Sequence, residues 1–301
     1  MGTDASEPLS GVSPESVTPE AVDEDAVHAA LSSENPLVCQ RGIAVCETLA
    51  TADVDAVRPF IDAVAALTAD ETVATSLRSI AVLDTVAESE PAALDGHLTP
   101  LVGVLDTDMV DVQLTGAELL GTLAVARPAS LTPHVTHLVE AIRTTEPEPT
   151  PDDVGDVVAD RVTRRTIREH QLDERRRRLG ARRTLVNVVV AVTEHDPAAA
   201  TDAVDAVVPL LDDVDPEVAG GGVDVLGELA TADPAVVAPA SRRLRECLCH
   251  DTVLVRARAV RALGHLGDDA AVADLRRVAA DDEDENVRSL AETTADYLEN
   301  R

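Results

Sequence analysis

Two histidines, a Cys-Cys-His cluster and a dense run of arginines are where residue type and spacing in this 301-residue sequence could support chemistry. His134 and His137 stand three apart, so a helix would put both imidazoles on one face, with Glu140 the nearest third ligand for a metal. Cys247-Leu248-Cys249-His250 gathers three candidate zinc ligands, but positions two apart on a helix face different ways. The histidines read better as exposed surface residues and the cysteines as small buried hydrophobes. Glu169-His170 and Glu194-His195 are further histidine–carboxylate neighbours. There is no phosphate-binding glycine loop, no dinucleotide-binding glycine pattern and no nucleophile elbow. No catalytic residue, no metal and no cofactor is expected, and the chain reads as a protein that is not an enzyme.

The arginine run is the strongest local anomaly. Residues 161–183 carry Arg161, Arg164, Arg165, Arg168, Arg175, Arg176, Arg177, Arg178, Arg182 and Arg183 against Glu169, Asp173 and Glu174, a local charge of +7 in a chain of formal charge −31. Steps of three and four residues put several of them on one helix face. Three readings stay open. The guanidinium groups can pair with the protein's own acidic surface, dock an acidic protein partner through bidentate contacts, or bind nucleic-acid phosphates. The last is disfavoured, because stacking platforms are missing: there is no Trp, and Phe60 and Tyr297 are the lone aromatics of their kinds. These ten arginines are the candidate partner-binding residues.

The surrounding field is acidic: 56 Asp and Glu face 25 basic residues, all of them Arg. Such a charge repels phosphate backbones, anionic lipid and acidic substrates. The absence of Lys, the excess of Asp and Glu and the Ala/Val-rich apolar set resemble proteins of extreme halophiles. At about 1 M salt the Debye length is roughly 3 Å, so self-repulsion is screened. The most apolar stretch, Leu185 to Val192, falls well short of the ~20 residues of a membrane span. The first basic residue is Arg41, so no charged leader region is read. Cys39 and Cys46 lie nearly two helical turns apart, about 10 Å of rise, too far for a disulfide. A cytoplasmic location with reduced thiols is expected.

A repeat must position these groups. Leu49, Val86, Leu123, Val192, Leu229 and Leu266 are spaced 37, 37, 69, 37 and 37 residues apart, and 69 is one repeat plus 32. Around these anchors, apolar residues recur three, six and eleven positions earlier, with Thr75 the exception, on one face of a 3.6-period helix, here helix A. Seven positions earlier stand mostly small residues: Gly42, Ser79, Gly116, Leu185, Gly222 and Ala259. Gly costs a helix about 1 kcal/mol against Ala, so its recurrence marks a close backbone approach. A second helix, B, follows each anchor, with Val64, Leu101, Leu138, Val207 and Leu244 as core positions. Subtracting one repeat predicts a lone B helix opening near Thr18-Pro19-Glu20, and Val287, Ala291, Ala295 and Leu298 predict a last A helix. Such units bury their apolar faces only by stacking on neighbours. The 32 extra residues begin with the extended Glu146-Pro147-Glu148-Pro149-Thr150-Pro151 linker. The fourth A helix is then extended N-terminally, or preceded by a separate helix ending near His170.

Asp251-Thr252-Val253-Leu254-Val255-Arg256-Ala257-Arg258-Ala259-Val260-Arg261-Ala262-Leu263-Gly264-His265-Leu266-Gly267-Asp268 resembles the signature of HEAT repeats, including their lyase-like subclass, and Asn286-Val287-Arg288 starts another copy. Most earlier units lack the Arg after Val. The resemblance covers about residues 19–146 and 180–300. It implies an all-α fold, an α-solenoid of about six HEAT-like helical hairpins with terminal capping helices. The expected organisation is a disordered acidic N-terminus over 1–17, repeats over 18–146, a Pro-rich linker and Arg-rich insertion over 147–180, and repeats over 181–301, in one continuous solenoid. It also implies a scaffold that binds a protein, acidic in the docking reading, through a concave surface and the insertion. The alternatives are an enzyme or accessory subunit on a lyase-like HEAT fold, or a nucleic-acid-binding helical repeat. The His-Glu pairs of HEAT-like deoxyhypusine hydroxylases are missing, as are the aromatics of helical-repeat alkylpurine glycosylases, and nothing marks a bilin site. The Asn ladder and Trp row of armadillo peptide clamps are absent too.

Overall fold

The A helices open where the sequence supplies a cap. Asn35 accepts the Leu37 N–H at 3.1 Å ahead of Pro36–Ala52. Asp215 accepts the N–H groups of Glu217 and Val218 ahead of Pro216–Ala232, and Asp284 those of Asn286 and Val287 ahead of Glu285–Glu299. Pro36 and Pro216 occupy a first turn, where a missing N–H costs nothing. The computed structural model describes residues 8–145 and 161–301. Among the described residues there is no strand. The fold is an all-α solenoid.

The chain forms two compact units, Met1–Arg127 and Pro128–Arg301. In the first, Pro36–Ala52, Val73–Ser89 and Val110–Ala126 pack side by side as A helices. In the second, Arg161–His195, Pro216–Ala232, Val253–Leu266 and Glu285–Glu299 do the same. All six anchors are buried, as are the B-arm positions Val64, Leu101, Leu138, Val207 and Leu244. The anchors also share a backbone role. Asp53, Glu90, Arg127, Asp196 and Asp233 donate their N–H to the carbonyls of Leu49, Val86, Leu123, Val192 and Leu229 at 2.7–2.9 Å. Each A helix thus stops one turn past its anchor. After Leu266 the stop differs: Gly267 takes a left-handed conformation, φ +68°, which glycine adopts without a Cβ penalty.

The B arms are not single helices. Between Val54 and Ala69 the chain alternates α and 3-10 turns, and the other arms follow suit, for example Pro234–Val237, Ala238–Ala240, Ser241–Glu246 and Cys247–Cys249. The first B helix runs Glu24–Leu31, capped by Asp23, whereas Pro19–Ala21 forms a 3-10 turn. The helix therefore starts a turn later than Pro19 predicts. Of the acidic N-terminus, residues 8–17 are described: Leu9 is buried and Pro14–Ser16 makes a 3-10 turn.

The recurrent small residue does admit close approach. A Cβ on Gly42 would lie 3.1 Å from the Leu31 backbone nitrogen, and one on Gly222 would lie 3.1 Å from the Leu210 Cβ. Both contacts are with the end of the preceding B arm. Gly227 faces the other way, where a Cβ would come within 3.1 Å of the Ala262 Cβ on the next A helix.

One position, ten before every anchor but Leu229 and matched by Arg288 in the last A helix, joins consecutive elements; before Leu229 it is Ala219, which has no donor. Elsewhere the side chain at this position donates to a backbone carbonyl at or just past the end of the preceding B arm. Cys39 reaches Leu31 O at 3.7 Å, Ser76 reaches Asp70 O at 2.9 Å, and Gln113 reaches Thr107 O at 2.6 Å. In the second unit Arg does the same, from Arg182 to Ile142 O at 2.8 Å, Arg256 to His250 O at 2.9 Å and Arg288 to Asp282 O at 2.6 Å. In the first three units, which lack the signature Arg, smaller donors take this place. Arg256 also grips Asp282 in the next corner at 2.8 and 2.9 Å.

Two outcomes follow from this packing. Gly227→Val overpacks the Ala262 contact and should cost about 1–3 kcal/mol, read as a lower thermal midpoint. The Arg256 hydrogen bond, against opposing burial, holds the Asp282 carboxyl below the usual carboxylate range. The unfolded chain therefore takes up that proton first as pH falls. The stabilisation is complete above the ordinary carboxylate range and is lost as pH drops through the depressed folded value. Urea midpoints followed from neutral to acid pH should show a shallower acid limb in Arg256→Gln than in the parent.

Candidate partner-binding surface

The A helices at Pro36, Val73, Val110 and Pro216 begin thirteen residues before their anchors. By that register the fourth A helix begins at Leu179. It runs instead as one 35-residue helix, Arg161–His195, so residues 161–178 are an N-terminal extension about 27 Å long at 1.5 Å per residue. This is the extended form of the two arrangements that the sequence allows.

The extension carries eight of the ten candidate arginines, two of them, Arg161 and Arg164, with side chains outside the described set. Arg165, Arg168, Arg175 and Arg176 are exposed, whereas Arg177 and Arg178 are half-buried. Pairing along the helix neutralises part of the charge. Arg165 donates to Glu169 at 2.7 Å, Arg176 to Asp173 at 3.1 Å and Arg178 to Glu174 at 3.0 Å, while Arg177 donates to the Asp173 carbonyl at 3.3 Å. At 100° per residue, Arg165, Arg168, Leu172, Arg175 and Arg176 share one face. Leu172 is 46% exposed at its centre.

Arg182 and Arg183 lie in the A helix proper. Arg182 is 1% exposed and is the second unit's first junction donor, bonded to Ile142 O and paired with the Asp213 carboxylate. No partner reaches it there. Arg183 holds Asp215 at 2.7 Å and Glu217 at 3.5 Å. Burial pushes the Asp215 carboxyl up, but the Arg183 bond and the N–H groups of Val218 and Glu217 outweigh it, so its pKa sits below the ordinary value. The eight described arginines of the run thus divide into four exposed ones, two half-buried ones and two structural clamps.

The other candidates are held in the scaffold. His134 and His137 are half-buried rather than exposed, and burial, with a smaller contribution from His137, lowers the His134 pKa. Cys247 is buried as expected, whereas Cys249 is exposed, because positions two apart face different ways. Burial pushes the Cys247 thiol up to about 11 and Cys46 up to about 12, which leaves both as poor nucleophiles. His250 accepts the Thr252 N–H at 2.9 Å and closes a corner. Among the described residues, no three His, Cys, Asp or Glu side chains gather as metal ligands, and no helix is long and apolar enough to cross a membrane. A cavity of about 430 Å³ lies between the N-terminal stretch and the first helices, lined by Leu9, Val12, Val22, Val27 and Val45 among others.

Stacked A helices, B arms and junction donors are features of a helical repeat, and comparison with known proteins identifies part of it. Residues 204–295 match the family model for HEAT repeats. Residues 204–295 carry HEAT repeats. An archaeal HEAT-like repeats protein from Thermococcus onnurineus NA1 superposes with a TM-score of 0.54 at 11% identity, covering 93% of this chain and 98% of that one. An engineered protein solved by the Northeast Structural Genomics Consortium superposes with a TM-score of 0.54 at 16% identity, covering 80% of this chain and 96% of that one. At these identities the likeness is one of HEAT-type fold alone. No curated protein matches the chain.

Removing the Arg182 clamp should expose its structural role. Arg182→Ala leaves a buried Asp213 carboxylate unpaired, an arrangement that typically costs about 3–5 kcal/mol. Urea denaturation should show that loss, and Arg182→Met combined with Asp213→Leu should recover part of it. Parent-like stability of Arg182→Ala would contradict the clamp.

Proposed function

We propose that this HEAT-repeat protein is a non-enzymatic scaffold that binds an acidic protein segment on the exposed row of its helical extension, with the concave surface expected of such repeats as a second contact surface. The observation that carries the reading is the row itself: Arg165, Arg168, Arg175 and Arg176 around the exposed Leu172, on helix that no repeat requires. An exposed apolar centre ringed by guanidinium groups suits a carboxylate-rich surface, because Arg pairs with carboxylates through two parallel bonds. The run keeps a net positive charge after pairing along the helix, and an acidic partner is attracted to it. The buried thiols and the corner-bound His250 are poor candidates for catalytic work, which supports a binding role. We place the protein in a salt-rich cytoplasm, where contacts this close survive screening better than long-range attraction.

Fluorescence anisotropy with a labelled glutamate-rich helical peptide tests this. The parent should bind. The variant with Arg165, Arg168, Arg175 and Arg176 all changed to Gln should bind about tenfold more weakly, as expected for four exposed ion pairs. Equal affinities would overturn the reading. Preference for a single-stranded DNA oligonucleotide, falling steeply with salt, would replace it with nucleic-acid binding.

A further inference from the structure

We propose that the acidic surface taken by the arginine row is the B-to-A corner edge of the 1–127 unit in a second copy of this chain. The inference rests on the docking reading above and names the partner.

The corners of the first unit present one carboxylate at the same register in three successive repeats. Fifteen residues before the anchors stand Glu34, Glu71 and Asp108, spaced 37 residues apart and all exposed. The ladder does not continue unbroken into the second unit. The equivalent residue is Arg177 in the fourth repeat and the exposed Val214 in the fifth, before Asp251 and Glu283 restore the charge. Three consecutive acids therefore occur only in the 1–127 unit.

Spacing makes the match specific. Neighbouring packed helices sit about 8–10 Å apart, so the three corner carboxylates form a row of roughly 16–20 Å. On the extension, Arg168 and Arg175 are seven residues apart, about 10.5 Å along the axis, and Arg165 to Arg176 spans about 16.5 Å. A helix laid across the corners thus offers one guanidinium for about every repeat it crosses. Leu172, at the centre of the row, falls near the middle corner. The partner also has the right overall charge, since the chain is at −31 while residues 161–183 are at +7.

Sedimentation equilibrium of the full chain, at low and high KCl, with charge-reversed variants, tests the proposal. The parent should show a weight-average mass above one chain. Arg168→Glu with Arg175→Glu should sediment as a monomer, and so should Glu34→Arg with Glu71→Arg and Asp108→Arg. All five sites are exposed, so far-ultraviolet circular dichroism should confirm unchanged helix content. Mixing the two variants should restore association, since each then meets opposite charge, with an association constant at least about tenfold above either alone. A parent that stays monomeric at every salt concentration, or a mixture that stays monomeric, overturns the second-copy partner. If the monomeric parent still binds the glutamate-rich peptide through its arginines, only the partner assignment fails. If it binds neither, the docking reading fails as well.

Discussion

The end of each B arm leaves backbone carbonyls against the next A helix, where water cannot serve them all. A buried carbonyl without a donor costs about 1–3 kcal/mol, and a repeat protein meets the problem at every junction. Here one helical position answers it, with Cys39, Ser76 and Gln113 in the first unit and Arg182, Arg256 and Arg288 in the second. The chemistry of the donor varies while its place on the helix does not. Ala219 alone cannot donate, and its corner is held differently: Asp215 caps the helix while Arg183 holds Asp215, and Arg182 reaches Asp213.

Glycine in the Pro216–Ala232 helix shows how tightly neighbouring elements then pack. Gly220, Gly221, Gly222 and Gly227 each weaken an isolated helix by about 1 kcal/mol against Ala. Gly222 admits Leu210 from the preceding arm, Gly221 faces Val186 on the preceding A helix, and Gly227 faces Ala262 on the following one. The helix is stable because it is enclosed by neighbours, as stacking of repeats requires.

Much of this was legible in the sequence, because burial at a fixed period leaves a fixed spacing of apolar residues. The anchors, the B-arm core positions and the close-approach glycines all stand where that spacing puts them. Three features were less legible. The alternation of α and 3-10 turns in the B arms depends on how each arm packs, and apolar spacing alone does not distinguish the two. The later start at Glu24 reflects capping by Asp23 after a Pro19 turn that resembles a helix start. Arg182 was hidden by its company. It stands ten before Val192 as Arg256 stands ten before Leu266, but the dense arginine run drew attention to charge instead of register. The exposed row on the extension had a signal in composition, and its division from the two clamps needed the coordinates.

The two units hold their junctions with different chemistry. In the first, the donors are a thiol, a hydroxyl and an amide, none of which changes charge in mild acid. In the second, guanidinium donors work beside carboxylates, and Asp282 and Asp215 must stay ionised for Arg256 and Arg183 to hold them. Acid weakens those two carboxylate grips only once pH falls through their depressed values, whereas the thiol, hydroxyl and amide junctions carry no such dependence. One repeated joint is thus built in versions that answer to different conditions.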